Sequence, residues 1–397
     1  MVVTIVVLLI LASITISVVF GDNGIIRKAQ EAANKMNEAI TNEQEGLNVL
    51  YNDLVSALND TTEEPGEPEG CEPEEFEKWN GTSDDKVNAV QSADAEPITV
   101  PVPKGYVASK VTGETTVEDG FVIYEGEEEV NDTNKDTAQT TRNQFVWVPV
   151  SNPSEMYGKD ENCKKWGKLY NFDEEGITAN NWTEQDGVMS ITDTSGFDSY
   201  REPDVVSSDS SNSVSISQLE TEFNVMITSV EKYGGFYIGR YETGNLSQAE
   251  AVVVKNNTDI NNQTWYTMYN KSKGVAANSN VTTTMIWGCQ WDAVMRWMYN
   301  SGDEEKKTYT YDGTGRGNYS GSRKATGADP TYAVNNIYDM AGNVYDWTIE
   351  AFYTLSRITR GGFYNSSARD IPASLRDGDN LPTYGYEYNG SRLALYI

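Results

Sequence analysis

The sequence predicts an α+β domain behind a long N-terminal hydrophobic and amphipathic α-helix. Three observations predict it. The first twenty residues, Met1 to Phe20, carry no charge. Short runs rich in Val, Tyr, Phe and Trp alternate with Gly/Asn/Asp/Ser loops from Pro97 onward, which is the pattern of short strands. Only two longer stretches in that region repeat their apolar residues at helical spacing.

The N-terminal run spans about 30 Å as a helix, the thickness of a bilayer core. It lacks the basic start and small-residue cleavage site of a secretory signal, so an uncleaved anchor is expected, with residues 1–20 in the membrane. After Gly21-Asp22-Asn23-Gly24 the apolar face continues through Ile25, Ile26, Ala29, Ala32, Ala33, Met36, Ala39 and Ile40. Leu47, Leu50, Tyr51 and Leu54 extend it to residue 58. Residues 59–96 are dense in Pro, Gly and Glu and read as an acidic linker, leaving 97–397 as the large domain.

Within that domain, residues 214–230 place Ile216, Leu219, Phe223, Met226 and Val230 on one helical face. Residues 281–300 predict a second helix, opened by Thr N-caps and carrying Trp287, Trp291 and Trp297 as core.

Sixty acidic residues against thirty basic ones give a net charge of −30, a field that repels nucleic acid. No nucleic-acid partner is expected. The chain has no histidine, which excludes Ser-His-Asp and Cys-His catalysis and histidine-held iron or zinc. Cys71, Cys163 and Cys289 lack metal-site spacing. Cys163 and Cys289 either form a disulfide or stay reduced, with Cys71 left over in both cases.

The segment VVTIVVLLILA running into GDNGIIRKAQEA resembles the N-terminal helix of type IV pilin-like proteins of Gram-positive bacteria. That resemblance implies a membrane helix at the cell surface and pilin-like subunits as partners, in a pilus. The sequence departs from the pattern: no basic leader ending in Gly is present, and Ile5 stands where that family has Glu.

Five further motifs occur in order: Phe145-Val-Trp-Val-Pro149, Gly235-Phe-Tyr-Ile-Gly-Arg-Tyr-Glu242, Asn336-Ile-Tyr-Asp-Met-Ala-Gly-Asn-Val-Tyr-Asp-Trp347, Arg360-Gly-Gly-Phe-Tyr364 and Gly390-Ser-Arg-Leu-Ala394. Together they resemble the formylglycine-generating-enzyme/sulfatase-modifying-factor family, which implies a C-type-lectin-like fold. The enzymes of that family use a cysteine pair just after the RGG-aromatic motif. Here that stretch reads FYNSSARDIPASLRDGDNLP, without cysteine, so no catalytic residues carry over. A binding protein is expected rather than an enzyme. An oxidoreductase of the formylglycine-generating type ranks last among the readings. The resemblance also implies a structural Ca2+ held by the side chains of Asp339 and Asp346 and the carbonyls of Gly342 and Val344. The alternative is that the two aspartates cap turns, with Asn343 left-handed. Arg360, Gly361 and Gly362 read as a buried strand end that needs close backbone approach.

Eleven of the fifteen residues 377–391 are Asp, Gly, Asn, Tyr or Ser, the alphabet of adaptable binding loops. These are also the residues reached when the adenines of an AAC or AAT codon are replaced. The placement is similar to the variable proteins of diversity-generating retroelements. The expected contacts are Tyr364, Asn365, Ser367, Arg369, Arg376, Asp377, Asp379, Asn380, Tyr384, Tyr386, Tyr388 and Asn389. An extracellular protein or glycan is the expected ligand, and a structural pilin-like filament subunit is the runner-up. Ordinary turn chemistry is the bland alternative for this segment.

Overall fold

β-branched and aromatic residues suit a pleated, half-buried surface, and the Val-, Tyr- and Trp-rich runs do become short strands. In the computed structural model the described residues are 71, 77–160, 162–185, 188–191, 204–205, 214–244, 252–258, 260–353 and 356–397. The chain divides into two compact units, Met1–Gly66 and Glu67–Ile397, and all described residues fall in the second. The expected membrane segment 1–20, the pilin-like helix 1–58 and residues 59–70 and 72–76 of the expected linker therefore lie outside the described residues. Among the described residues no helix is long and apolar enough to cross a membrane.

The unit is mixed α and β, dominated by sheets. Strands β1 (Val87–Gln91) and β2 (Thr99–Pro103) pair as an antiparallel ribbon, followed by β3 (Tyr106–Ala108), β4 (Val122–Glu125), α1 (Lys135–Thr141) and β5 (Gln144–Pro149). An antiparallel meander comes next: β6 (Tyr157–Lys159), β7 (Lys165–Phe172), β8 (Ile177–Gln185) and β9 (Val188–Ile191). Then follow β10 (Asp204–Val205), β11 (Val214–Ser215), α2 (Ile216–Tyr233) and β12 (Gly235–Gly239). The middle contains α3 (Trp265–Ser272), β13 (Thr282–Met285), α4 (Gly288–Tyr299) and α5 (Glu304–Tyr311). The chain ends with β14 (Ala333–Val334), β15 (Ile337–Tyr338), β16 (Tyr345–Tyr353), β17 (Ser356–Arg360), β18 (Arg376–Asn380), β19 (Asn389–Ser391) and β20 (Leu393–Tyr396).

The main sheet runs β13-β20-β12-β5-β4-β3 and is antiparallel throughout. Motifs far apart in sequence meet at its centre: Tyr237 of β12 faces Trp147 of β5, and Ile238 faces Ala394 of β20. Helix α2 packs on this sheet as its periodicity predicts. Ser215 caps it by accepting the Gln218 amide at 3.2 Å, and Gly234 ends it at φ +75°. Leu219, Phe223, Met226 and Val230 are all buried, each contributing about 1.5–3 kcal/mol. The side chain of Ile216 lies outside the description.

Two expectations change. Residues 281–300 are not one helix, because Thr282-Thr283-Thr284 pairs with β20 as an edge strand and α4 starts only at Gly288. β-branched threonines favour the strand when a partner is at hand. The head also begins before Pro97. Inside the expected linker, β1 pairs along its length with β2, and Val87 and Val100 are fully buried. Asp94 accepts the amides of Val117 and Glu118 at 2.7 and 2.9 Å, while the Trp79 amide donates to the Lys232 carbonyl.

The cysteine pairing differs as well. Cys71 bonds Cys163, with Cα atoms 5.5 Å apart across 92 residues, and Cys289 is buried in α4. Neither arrangement considered for Cys163 and Cys289 included this bridge, because Cys71 looked like part of a spacer. Peptide mapping without reductant is expected to yield a Cys71–Cys163 cross-linked peptide and a Cys289 thiol that alkylates only after unfolding. Reduction is expected to lower stability by about 2–4 kcal/mol. A Cys163–Cys289 peptide would overturn the pairing.

Candidate ligand-binding face

The C-terminal residues build a second sheet of order β18-β17-β16-β19, in which β19 runs parallel to β16. Its foundation is a buried set of charges. Arg360 donates to Asp292 at 2.6 Å and to Glu350 at 3.2 Å; Arg376 donates to Glu350 at 2.6 Å and also to Asp292. Two cations and two anions cancel, which is how such charges are tolerated out of water. Arg376 donates from Nη1 to the Tyr170 carbonyl at 3.0 Å. Burial works against the charge of Arg376, but the two carboxylates hold its pKa above the usual arginine value. Gly361 follows at φ +85°, where a Cβ would sit 2.7 Å from the Met340 carbonyl oxygen, so the close approach expected at this strand end is present.

Beyond β18 the chain forms the loop Leu381–Tyr388. Its backbone is clamped: the amides of Asn262, Trp265 and Tyr345 donate to the carbonyls of Tyr386, Pro382 and Tyr388 at 3.1, 3.1 and 2.8 Å. Gly385 permits this, since a Cβ there would lie 2.4 Å from the Asn262 oxygen. With the backbone held inward, the aromatic side chains line up. Tyr384 and Tyr386 are 6.2 Å apart between ring centroids, and Tyr386 stacks on Tyr388 at 5.3 Å and 19°. Tyr388 meets Phe363 at 5.2 Å and Tyr345 at 6.3 Å, and Phe363 meets Tyr364 at 5.4 Å. Tyr384 is 58% exposed and Leu381 beside it 41%. Burial, and after it the charge of Asp377 and a hydrogen bond with it, raise the Tyr345 hydroxyl pKa well above its usual value.

The twelve expected contact residues therefore divide. Tyr364, Tyr384, Tyr386 and Tyr388 join one aromatic row, to which Asp377 is attached through Tyr345. Asn365 and Ser367 are exposed on the turn just after Tyr364. Arg369 instead lines a cleft of about 750 Å³ with Asn171, Asp173, Tyr311 and Asp312. Arg376 lines the same cleft while its guanidinium reaches the buried carboxylates, and Asn380 and Asn389 are buried residues. Asn380 donates to Thr359 and accepts from Asn389, both at 3.1 Å. Asp379 lies in β18, and its side chain is outside the description. Sequence reasoning missed Tyr345 and Phe363, which complete the row. Both sit inside the quoted motifs, where they read as family pattern rather than surface.

The expected calcium ligands are also close to one another but differently engaged. Asp339 accepts from the Thr326 hydroxyl and the Gly327 amide, both at 2.8 Å. Asp346 is paired with Arg392 at 3.1 Å. Glu242 joins them, accepting from the Val344 amide at 3.1 Å and from Asn343, which is left-handed at φ +63°. Among the described residues no group of three or more acidic or cysteine side chains could hold a metal. Here Arg392 pairs with one oxygen of Asp346 and Asp339 caps the Thr326–Gly327 turn, while the buried Asp346 Oδ1 has no hydrogen-bond partner among the described residues. Burial raises the pKa of all three acids. Asp346 rises to about 6 despite Arg392, and Glu242 goes well above its usual value, with Asp339 and Asp346 adding to the effect of burial.

Two predictions follow from these contacts. Arg376→Ala is expected to lower stability by about 3–5 kcal/mol in denaturant unfolding, because it leaves two buried carboxylates sharing the single positive charge of Arg360. Arg369→Ala, at an exposed position, is expected to change it by less than about 0.5 kcal/mol. The second concerns pH. Carboxylates whose folded pKa is raised favour the fold at low pH, and that contribution is lost as pH rises through the folded value. In thermal unfolding at constant ionic strength, the parent should lose stability from pH 5 to 8 more steeply than Glu242→Gln. Equal slopes would show that Glu242 does not titrate there.

No protein-family model matches the chain, and no curated protein sequence matches it. Three solved structures are similar to parts of it. "Crystal Structure of CarF" aligns at 17% identity over 34% of this chain and 67% of that one, with a TM-score of 0.27. Treponema denticola variable protein 1 aligns at 18% identity over 36% of this chain and 54% of that one, with a TM-score of 0.22. PvdO from Pseudomonas aeruginosa aligns at 13% identity over 61% of this chain and 98% of that one, with a TM-score of 0.29.

Proposed function

We propose that the chain is a surface-anchored binding protein, held in the membrane through residues 1–20, whose C-type-lectin-like head presents the tyrosine row to an extracellular ligand. The observation that carries this reading is the row itself. Several aromatic rings are gathered on a backbone that is fixed by main-chain hydrogen bonds, with Tyr384 and Leu381 left in solvent. A stiff tyrosine contributes large contact area at little entropic cost, and a preorganised loop lowers the cost of binding further. The head is proposed to bind and not to catalyse. Diversification of the row is part of the proposal, because the exposed positions of residues 364–388 can change without disturbing the core beneath them.

The test applies the purified full-length chain to arrays of immobilised extracellular proteins and oligosaccharides. Capture is expected to fall roughly tenfold or more when Tyr384 and Tyr386 are both replaced by Ala. Val225→Ala, at an exposed position on α2, should leave it unchanged. Capture indifferent to the tyrosine pair would remove the row as the binding face. Sequencing of the locus across isolates is expected to find variation at Tyr364, Asn365, Ser367, Arg369, Asp377, Tyr384, Tyr386 and Tyr388 but constancy at Arg376, Asn380 and Asn389. Uniform codons at all these positions would discard diversification.

A further inference from the structure

The disulfide closes a covalent loop through the first part of the head. Between Cys71 and Cys163 lie β1 to β6 and α1, including β5 from the middle of the main sheet. Cys163 sits in the turn between β6 and β7, where its amide donates to the Asp160 carbonyl at 2.9 Å. Strand β7 follows at once and is well fastened. It pairs with β6 on one side and β8 on the other, Leu169 is buried, and Lys165 reaches Glu231 at 3.7 Å. At Tyr170 the β7 backbone meets the buried charges directly. Its amide donates to Asp292 at 2.8 Å and its carbonyl accepts from Arg376 at 3.0 Å. Arg376 is the first residue of β18, the strand that leads into the loop Leu381–Tyr388. The elements just after Cys71 are held less firmly. Trp79 is partly buried, with its amide on the Lys232 carbonyl at 2.9 Å and its ring 6.2 Å from that of Tyr233. Strands β1 and β2 form a sheet of their own, and β3, at the edge of the main sheet, has three residues. A ribbon of two strands is marginally stable by itself.

We infer that the Cys71–Cys163 bridge is a load-bearing clamp, which carries tension from the membrane tether into β7 and from there to the tyrosine row. This rests on the tethered binding protein proposed above, held at one end by residues 1–20 and at the other by a ligand on the row. Tension on the N-terminal side then draws on residue 71. With the bridge formed, covalent bonds pass the pull to Cys163, and β1 to β5 stay outside the loaded path. The load runs along β7 to Tyr170, where Asp292 and Arg376 connect it to the quartet and to β18. Without the bridge the same pull would reach Trp79 and then the end pair of the ribbon, Val87 and Pro103. Pairs at the end of an antiparallel ribbon are loaded one after another rather than together, so they yield at low force. Peeling would then proceed from β1 toward β5, since elements with few buried contacts open first. The bridge closes that route. It also gives a role to a cysteine set in an acidic, Pro-rich segment.

The test stretches single full-length chains under constant load, between a handle at the N-terminus and an azide-bearing phenylalanine in place of Tyr384. The oxidised chain is expected to show no early lengthening. Added reductant, or Cys71→Ser with Cys163→Ser, should produce a first opening on the order of 100 Å, the ribbon and its lead-in at about 3.3–3.6 Å per residue. That opening should come at least roughly tenfold sooner than the first opening of the oxidised chain. A control moves the N-terminal handle to the exposed Ile98, between β1 and β2, so that the load no longer passes through the bridge. The first opening there should be the same with and without reductant. Equal opening times of oxidised and reduced chains under the N-terminal handle would overturn the inference. An equal effect of reductant with the handle at Ile98 would overturn it too, because the bridge would then be a general stabiliser. No ligand enters this measurement, so its failure leaves the binding face standing. Clamp behaviour alongside capture that ignores the tyrosines would keep the bridge as the load path and remove the row as its far end.

Discussion

Four side chains from four elements, Arg360 of β17, Arg376 of β18, Asp292 of α4 and Glu350 of β16, meet beneath the cleft that Arg376 lines, the other three fully buried, and each depends on the others for its charge. Removing any one leaves an uncompensated ion where water cannot reach it, a far larger penalty than the loss of an exposed pair. The quartet fixes where β17 ends and where β18 begins. It therefore fixes both ends of the segment from Gly361 to Leu375. The loop that follows β18 starts from a rigid edge.

Rigidity beneath and exposure above belong together on this face. The Leu381–Tyr388 backbone spends its hydrogen bonds on the loop at Asn262 and on β16, so its polar groups are satisfied inside the protein. Tyr386 packs against the edge of the core, and the neighbouring rings line up on it as a row. A surface built in this way is ordered before any ligand arrives, which removes part of the entropic cost of association.

The strands of the main sheet were legible because β-branched and aromatic runs broken by turn residues have few alternatives. Helix α2 was legible for the same kind of reason, a period that only one helical face explains. Thr282–Thr284 misled because a Thr run next to a helix can cap it or extend as a strand, and the partner that decides is β20, more than a hundred residues away. Cys71 misled because its acidic neighbours hid a residue that the fold brings back to Cys163. Val87 was hidden likewise by the charged residues around it.

The candidate site shows the same boundary. The composition of residues 377–391 was enough to single out an adaptable loop, and the absence of histidine removed whole classes of chemistry without any coordinates. Composition does not distinguish an asparagine that faces a ligand from one that faces another asparagine. Asn380 and Asn389 bond each other, and Arg376 neutralises buried acids, because strand register turns those positions inward. Asp339 and Asp346 have the spacing of paired ligands, yet in the fold Asp346 meets Arg392 and Asp339 caps a turn. Sequence determined which residues could form strands, helices and a binding alphabet, since those depend on local conformation and period. Tertiary structure alone decided which polar groups meet a partner inside and which remain for a ligand, since that depends on contacts between residues distant along the chain.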